Sequence, residues 1–551
     1  MSVFVPHYTG SQIVNCRIAF DTDPLAYPPT WTDVSSDLVN ISTKRGRQHQ
    51  LDRIEAGTAN VLLKNIDGNY WPDNAGGDYD PNVKIGKRLN LWAIYDGTIY
   101  DIYTGFVRKW NPVWFSQEGN LCPGMQLECV DLQRNLARGK LDVDYAEEAS
   151  GIRIGNVLDD AGWNATERDL DAGKEDIQAT GAVQINPMEH LFLVQESELS
   201  DFFIRGDGYA RYIERGERSA AISATFGTGE LPIHNPVFPL DDDLLYNEIR
   251  LTIEGGTEQS YSDADSILDF GLRTLSRSGL LLTADIAAYI LCLYLLARYY
   301  EAKMRIKSFT IKPQTPGHET ELWPLALGLD IGNRIALVWD EASIDGEYFI
   351  EDVEQSWDYR EGLWETKFQC SDADQYYYTP DATEQTIRPD GAGATTELTP
   401  SAGANWNCVD EEVADDGGTY VYRSNSPKLD TYTLQTPSYS QGIINKVTVH
   451  CRGSVNALGS APPDSTGYFC SVIRAGGTNY KGTHYRPTDT NWHNISTEYV
   501  LNPKTGLAWT WADIVALEAG VEAEASVSGG SYTGASLCTQ VYVVINFTPE
   551  W

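Results

Sequence analysis

The sequence predicts a mainly β protein with an α+β insertion: two small β-barrels and a C-terminal β-sandwich. Three observations predict it. Tyr (31) and Trp (15) are abundant and Met (4) is scarce in a chain of 551 residues, and these aromatics favour strands and interfaces. Short runs of alternating polarity are broken by turn residues along most of the length. Two distant segments also repeat the same landmarks in the same order.

The elements follow in sequence. Residues 1–145 read as a first barrel, with strands at Gln12–Phe20, Ala59–Leu63, Arg88–Tyr95, Thr98–Trp110 and Met125–Asp131. Asp96-Gly97 sits between two of them and predicts a hairpin, because these residues tolerate positive φ. Residues 146–240 change character. Gly151–Gly162 and Met188–Glu198 have helical spacing, and Asp201–Arg215 reads as a hairpin turning at Gly206-Asp207-Gly208. This stretch is the α/β insertion. Residues 241–378 return to strands, a second barrel around one long helix at about 284–303. Residues 379–400 are polar and rich in Pro, Gly, Thr and Ala, without periodicity, and read as a linker. Residues 401–551 alternate in short runs and read as a β-sandwich.

The internal echo joins Ile85-Gly86-Lys87-Arg88, a strand with Val107 and Trp110, and Cys129-Val130-Asp131 to a second set. That set is Ile331-Gly332-Asn333-Arg334, a strand with Val353 and Trp357, and Cys370-Ser371-Asp372. Alternation in β-rich chains produces chance likeness, but three landmarks in one order favour duplication. Three chains with two similar barrels each would form a ring of six quasi-equivalent units.

Charge limits the function. The net charge is −37, the opposite of what releases phosphate counterions, so sequence-specific nucleic-acid binding and anionic membranes are disfavoured. The acidity has two readings: solubility, or the lining of a passage that must not hold DNA. Nine cysteines without CxxC argue against a disulfide framework or a zinc site. MSVFVPHYTG lacks the basic and apolar regions of a signal peptide. The apolar stretch Ala287–Ala297 is too short to span a bilayer and reads as a buried helix.

Catalytic patterns do not emerge. The eight histidines form no HExxH or other metal spacing, and there is no GxSxG elbow. Gly227-Thr228-Gly229 lacks the strand-to-helix context of a phosphate loop. Asp241-Asp242-Asp243 lacks the alternation of a calcium loop and reads as a solvated turn. No cofactor, metal or catalytic residue is expected. In the last domain Trp406, Tyr468, Tyr480 and Trp492 offer a candidate sugar-stacking face, with sandwich core as the alternative.

A motif series gives the chain a resemblance. Trp31-Thr32-Asp33-Val34 is followed by Lys44-Arg45-Gly46-Arg47. Leu51-Asp52-Arg53-Ile54-Glu55-Ala56-Gly57-Thr58-Ala59 comes next, then Leu63-Lys64-Asn65-Ile66-Asp67-Gly68-Asn69-Tyr70. This R-G-R, E-A-G-T-A, N-x-D-G-x-Y series resembles the siphophage minor tail protein family. The likeness continues at Gly151–Trp163, Asp243–Asn247, Ser266–Arg273, Asp285–Tyr299 and Leu329–Arg334. It implies a tail hub: a homotrimer of chains with two hub-type barrels that closes the tail tube at the tip and forms part of the DNA exit conduit. The implied partners are a distal tail or tube ring protein, a tape measure protein and tip or fibre proteins. The implied place is the virion tail tip or baseplate, after assembly in the host cytoplasm. No catalytic residues carry over, and no peptidase or muramidase module follows. Instead Gly403-Ala404-Asn405-Trp406, Asp416–Tyr422, Asn502-Pro503-Lys504-Thr505-Gly506 and Trp509-Thr510-Trp511 resemble a jelly-roll-like module of phage structural proteins.

Within the motif, Gly46, Gly57, Gly68 and Gly86 are expected at turns needing positive φ. Arg45, Arg47 and Arg53, near Asp52, Glu55 and Asp67, are expected to form a buried or interface ion-pair cluster, with a solvated loop as the alternative. Two other functions stay open: a receptor-binding or glycan-depolymerising tail protein that takes host cell-surface glycan, and a distal tail ring protein.

Overall fold

The computed structural model describes residues 13–549, apart from 25, 118–119, 184, 217, 219–220, 241, 359–361, 374–381, 459–465 and 527–532. The chain divides into two compact units, Met1–Tyr378 and Thr379–Trp551. Both are mainly β.

The first unit is organised by one 13-stranded sheet. Its centre is strand Leu38–Gly46, which pairs with Glu55–Lys64 on one side and with Ile344–Asp358 on the other. The expectation was two separate barrels. Among the described strands neither closes: each half presents an edge to the other instead of returning to its own first strand. The result is a continuous core in which Val61, Leu63 and Leu127 share a cluster with Phe309, Ile335, Trp364 and Phe368, all fully buried.

The echo is real at the level of hydrogen bonds. Arg88–Tyr95, Thr98–Gln117 and Asn120–Asp131 form an antiparallel meander, and Arg334–Trp339, Ile344–Asp358 and Leu363–Asp372 form another. Gly86 N donates to Val107 O and Val107 N to Lys87 O; Gly332 N donates to Ile350 O and Ile350 N to Asn333 O. The two glycines share a left-handed φ, +85° and +84°. Immediately after Val107 and after Ile350 each middle strand carries a bulge, at Arg108 and at Glu351. Val107 therefore corresponds to Ile350, not Val353. Cys129 pairs with Val107 and Cys370 with Ile350, so the cysteine landmark stands. The tryptophan landmark does not, because Trp110 lies three residues past its reference point and Trp357 seven.

The domain boundaries also shift. The α/β insertion has its own core of Ile154, Val157, Leu158, Leu191, Val194, Phe202 and Tyr212. However, Ile222–Gly227 and His234–Val237 pair with Arg334–Trp339 and Ser308–Ile311 of the large sheet, so the insertion ends before Ile222 rather than at 240. Conversely, Glu248–Ile253, Gln259–Ser262 and Thr274–Leu280 form a separate three-stranded sheet. Helix Asp285–Tyr299 packs on it and is buried on almost every side, as its uniform apolarity requires. The helix expected inside a second barrel thus belongs to a second insertion. Among the described residues no helix is long and apolar enough to cross a membrane.

Two edges of the large sheet carry prolines. Beyond Val107, strand Thr98–Gln117 is paired on one side only among the described residues, and Pro112 lies in that stretch. Among the described residues His234–Val237 pairs only with Ser308–Ile311, and it contains Pro236. Proline offers no N–H to a further strand.

The second unit consists of two antiparallel sheets, one of six and one of five strands. Their facing sides touch: Ser471 Oγ lies 2.7 Å from Thr497 Oγ1, and a Cβ on Gly453 would meet Phe469 at 2.8 Å. A two-sheet sandwich was expected, but its start was misplaced. The segment read as a linker supplies strands Thr383–Ile387 and Pro389–Thr396, which pair with Thr533–Thr548 and Lys428–Leu434. Residues 379–381 lie outside the described residues. The polar composition is real, but on these strands every second side chain faces solvent, so alternation with small residues resembles a linker.

Candidate functional site

The motif Lys44-Arg45-Gly46-Arg47 ends the central strand where the two halves meet. Gly46 opposes Asp352, with Arg45 opposite Val353 and Lys44 opposite Glu354. Gly46 has φ +121°, and a Cβ there would stand 2.2 Å from the Glu351 carbonyl oxygen, so only glycine lets the two strands close. Gly57 has a different reason from the one expected. It does not adopt positive φ; its N–H donates to Asp131 Oδ2 at 2.6 Å, and a Cβ would collide with that carboxylate and with Arg45.

Four buried charges converge beside this joint. Arg47 Nε donates to Glu351 Oε2 at 2.8 Å, and its Nη2 lies 2.6 Å from Asp201 Oδ1. Arg218 Nε donates to Asp201 Oδ2 at 2.8 Å, and its Nη2 donates to Glu351 Oε2 at 3.2 Å. Ser371 Oγ donates to the other Glu351 oxygen. The set is Arg47, Asp201, Arg218 and Glu351, two of each sign, and none is more than 8% exposed. Burial alone would raise the Glu351 carboxyl, but the Arg218 and Arg47 guanidiniums overcome it and hold the group well below the usual carboxylate range. The bulge is what aims Glu351 at both arginines. At the corresponding bulge of the first meander, Arg108 is mostly exposed.

A cluster was thus expected around Arg45, Arg47 and Arg53, and the structure gives each a different place. Arg45 is buried, pairing with Asp330 at 2.9 Å and donating to Ile204 O. Arg53 is half-exposed and meets Glu196 at 2.8 Å on helix Pro187–Glu198. Glu55 and Asp67 are exposed, and neither forms an ion pair among the described residues. Asp201, Arg218, Asp330 and Glu351 were missed. One sign was legible: Glu351-Asp352 interrupts the otherwise apolar run from Tyr348 to Val353. Asp352 is itself nearly fully buried, with Lys44 at 3.7 Å, and burial pushes it up to about 7 against the pull of Lys44. Asp131 is likewise raised by burial to about 7, despite accepting from Gly57 N and Gln133 N.

Chemically the four-charge cluster is balanced, two cations against two anions. Each guanidinium is shared by two carboxylates, so the arrangement binds parts of the chain together and frees no base or nucleophile. Its four members come from the first half, the α/β insertion, the connection from strand Ala210–Ile213 to strand Ile222–Gly227, and the second half. The chain is similar in structure to phage tail proteins. Against a tail protein from Neisseria meningitidis MC58 the TM-score is 0.45 at 13% identity, over 66% of this chain and 98% of that one. Against the 43 kDa tail protein of prophage MuSo2 from Shewanella oneidensis it is 0.44 at 12% identity, over 66% and 98%. A type VI secretion system component of E. coli, described as structurally similar to T4 tail proteins gp27 and gp5, gives 0.36 at 10% identity, over 70% and 84%. No protein-family model matches the sequence, and no curated protein does.

The remaining candidates are placed apart. Trp406 lies in the short turn Trp406–Cys408, Tyr480 on strand Thr478–Lys481, and Trp492 just before strand His493–Tyr499. Among the described residues no ring contact joins any two of the four aromatics. Tyr468 is corrected outright as a sugar platform: it is 3% exposed, and the His484 ring stacks on it at 3.9 Å. In the acidic run, Asp241 lies outside the described residues, while Asp242 pairs with Arg273 and Asp243 with Lys307.

Proposed function

We propose that this chain is a structural hub protein of a bacteriophage tail tip or baseplate, with no enzymatic step of its own. The observation that carries the reading is the joint. Two meanders built on one hydrogen-bond plan are paired through a shared sheet and locked by a buried four-charge cluster to which the R-G-R motif contributes Arg47. A chain of this kind holds two near-copies of one module at fixed orientation. Three chains around an axis would present six similar modules, which suits a junction between a sixfold tube and a threefold tip. The motif series resembling minor tail proteins supports the same reading.

In this reading Ile13–Asp131 and the strands from Ile222 to Asp372 supply the two hub-type modules, and the two insertions decorate them. The C-terminal sandwich is a jelly-roll-like module for host-surface or assembly contacts. The partners are tube-ring, tape measure and tip or fibre proteins within the virion. With a net charge of −37, the assembled bore would repel DNA phosphates during genome exit.

A symmetric reconstruction of tail tips containing this chain tests the proposal. Three copies around the tail axis at the tip are expected. Six copies, or a position along the shaft or in the capsid, would overturn it. Release of oligosaccharides from host polysaccharide by the purified chain would overturn the non-enzymatic part.

A further inference from the structure

The five-stranded sheet of the C-terminal unit carries a row of three donors that neither the tail-tip reading nor the fold explains. Cys470 on strand Thr466–Ala475 pairs directly with Glu522 on strand Glu518–Ser526. On the other side of Cys470 the chain leaving strand Thr478–Lys481 keeps running beside the same edge. Gly482 N donates to Ser471 O, and Phe469 and Tyr485 exchange both backbone hydrogen bonds. That path puts His484 next to Cys470. Phe469 and Ser471 point to the second sheet of the sandwich, so alternation turns Tyr468 and Cys470 to the opposite face, together with Glu522.

The lengths of the side chains do the rest. A short thiol sits on the middle strand, and two longer side chains from its neighbours lean over it. One donor atom from each of Cys470, His484 and Glu522 lies within 4.8 Å of the others. The imidazole Nε2 is 3.5 Å from Glu522 Oε1. Tyr468 fixes both flanking groups: its ring stacks on His484 with planes 11° apart, and its hydroxyl donates to Glu522 Oε1 at 3.0 Å. Glu522 is almost fully buried, an unusual setting for a carboxylate, and its other oxygen meets the ammonium of half-exposed Lys481.

We propose that Cys470, His484 and Glu522 bind one zinc ion on this face of the C-terminal unit. Thiolate, imidazole and carboxylate are the donor types zinc prefers, and three protein ligands leave a fourth position for water. On binding, the S–H bond breaks, the proton passes to solvent and a sulfur–metal bond forms. Thiolate and carboxylate then balance the two positive charges. Lys481 holds the place of the cation in the metal-free protein and swings out to solvent when the metal enters. The ion would pin the segment after Lys481 onto the sheet. The site is independent of what the first unit does.

Cobalt(II) titration of the full-length chain under reducing conditions tests this, with zinc as competitor. One equivalent should bind with a thiolate-to-cobalt charge-transfer band, and zinc should bleach it. Cys470→Ser should abolish the band. His484→Gln, at a half-exposed position that tolerates change, should weaken binding at least tenfold with the far-ultraviolet circular dichroism unchanged. Lys481→Met should tighten binding by removing the competing cation. No band in the wild type, a band that survives Cys470→Ser, or an affinity unmoved by both His484→Gln and Lys481→Met would overturn the assignment.

Discussion

Arg47 and Arg218 divide two carboxylates between them, and each of the four groups is removed from water. Such a set is held by its balance. Taking out one charge leaves an uncompensated partner in an apolar setting, which costs about 3–5 kcal/mol. Glu351→Gln should therefore destabilise the first unit by that amount in denaturant unfolding. Arg53→Ala should change stability by less than about 1 kcal/mol, because Arg53 is half-exposed and its ion pairs are screened by solvent. The pH dependence has a definite sign. Glu351 titrates lower in the folded chain than in the unfolded one. Its stabilisation is present above the ordinary carboxylate range and is lost as pH falls through and below it. The Glu351→Gln chain should lack that part of the acid loss. Indifference of stability to Glu351→Gln would show that the cluster is not what holds the joint.

At the scale of elements, the boundary at residue 379 has a consequence for dissection. Thr383–Ile387 and Pro389–Thr396 each complete a sheet of the second unit. A fragment beginning at Thr379 should fold, with cooperative thermal unfolding, whereas one beginning at Ser401 should not. Equal behaviour of the two fragments would refute the pairing. The same strands mark what sequence could convey. Turn chemistry was readable, since Asp96-Gly97 does join two strands with both residues at positive φ. Helix starts were readable to within a few residues, at Ser150, Pro187 and Asp285. The repeat was readable through Gly86 and Gly332, because a left-handed residue feeding a strand leaves a glycine behind. Sheet membership was not. Nothing local tells His234–Val237 that it belongs beside Ser308–Ile311, or Leu38–Gly46 that its partner begins 306 residues beyond its own start at Leu38. The joint was half visible for that reason. The arginines stand in a compact motif, but Asp201, Arg218 and Glu351 reach them only through tertiary pairing.

For the molecule as a whole, two of the edges of the large sheet carry a proline, at Pro112 and Pro236. Pairing within the chain, between Leu38–Gly46 and Ile344–Asp358, contains none. Replacing both edge prolines with threonine, a residue at home in strands, should raise the tendency of the purified chain to self-associate, measured by light scattering across a concentration series. An unchanged scattering profile would show that the edges are protected in some other way.

Those prolines bear on how a chain built from two paired modules is made in a crowded cell. A module that joins its own twin through backbone pairing is, by the same chemistry, able to join a stranger's twin, and a chain with two such modules could propagate like links of a zip. Blocking links at these two edges favours a fastening that is used once, during folding. At those edges any later contact is left to the shape and charge of side chains, which can be specific to one neighbour, rather than to the backbone, which every strand shares.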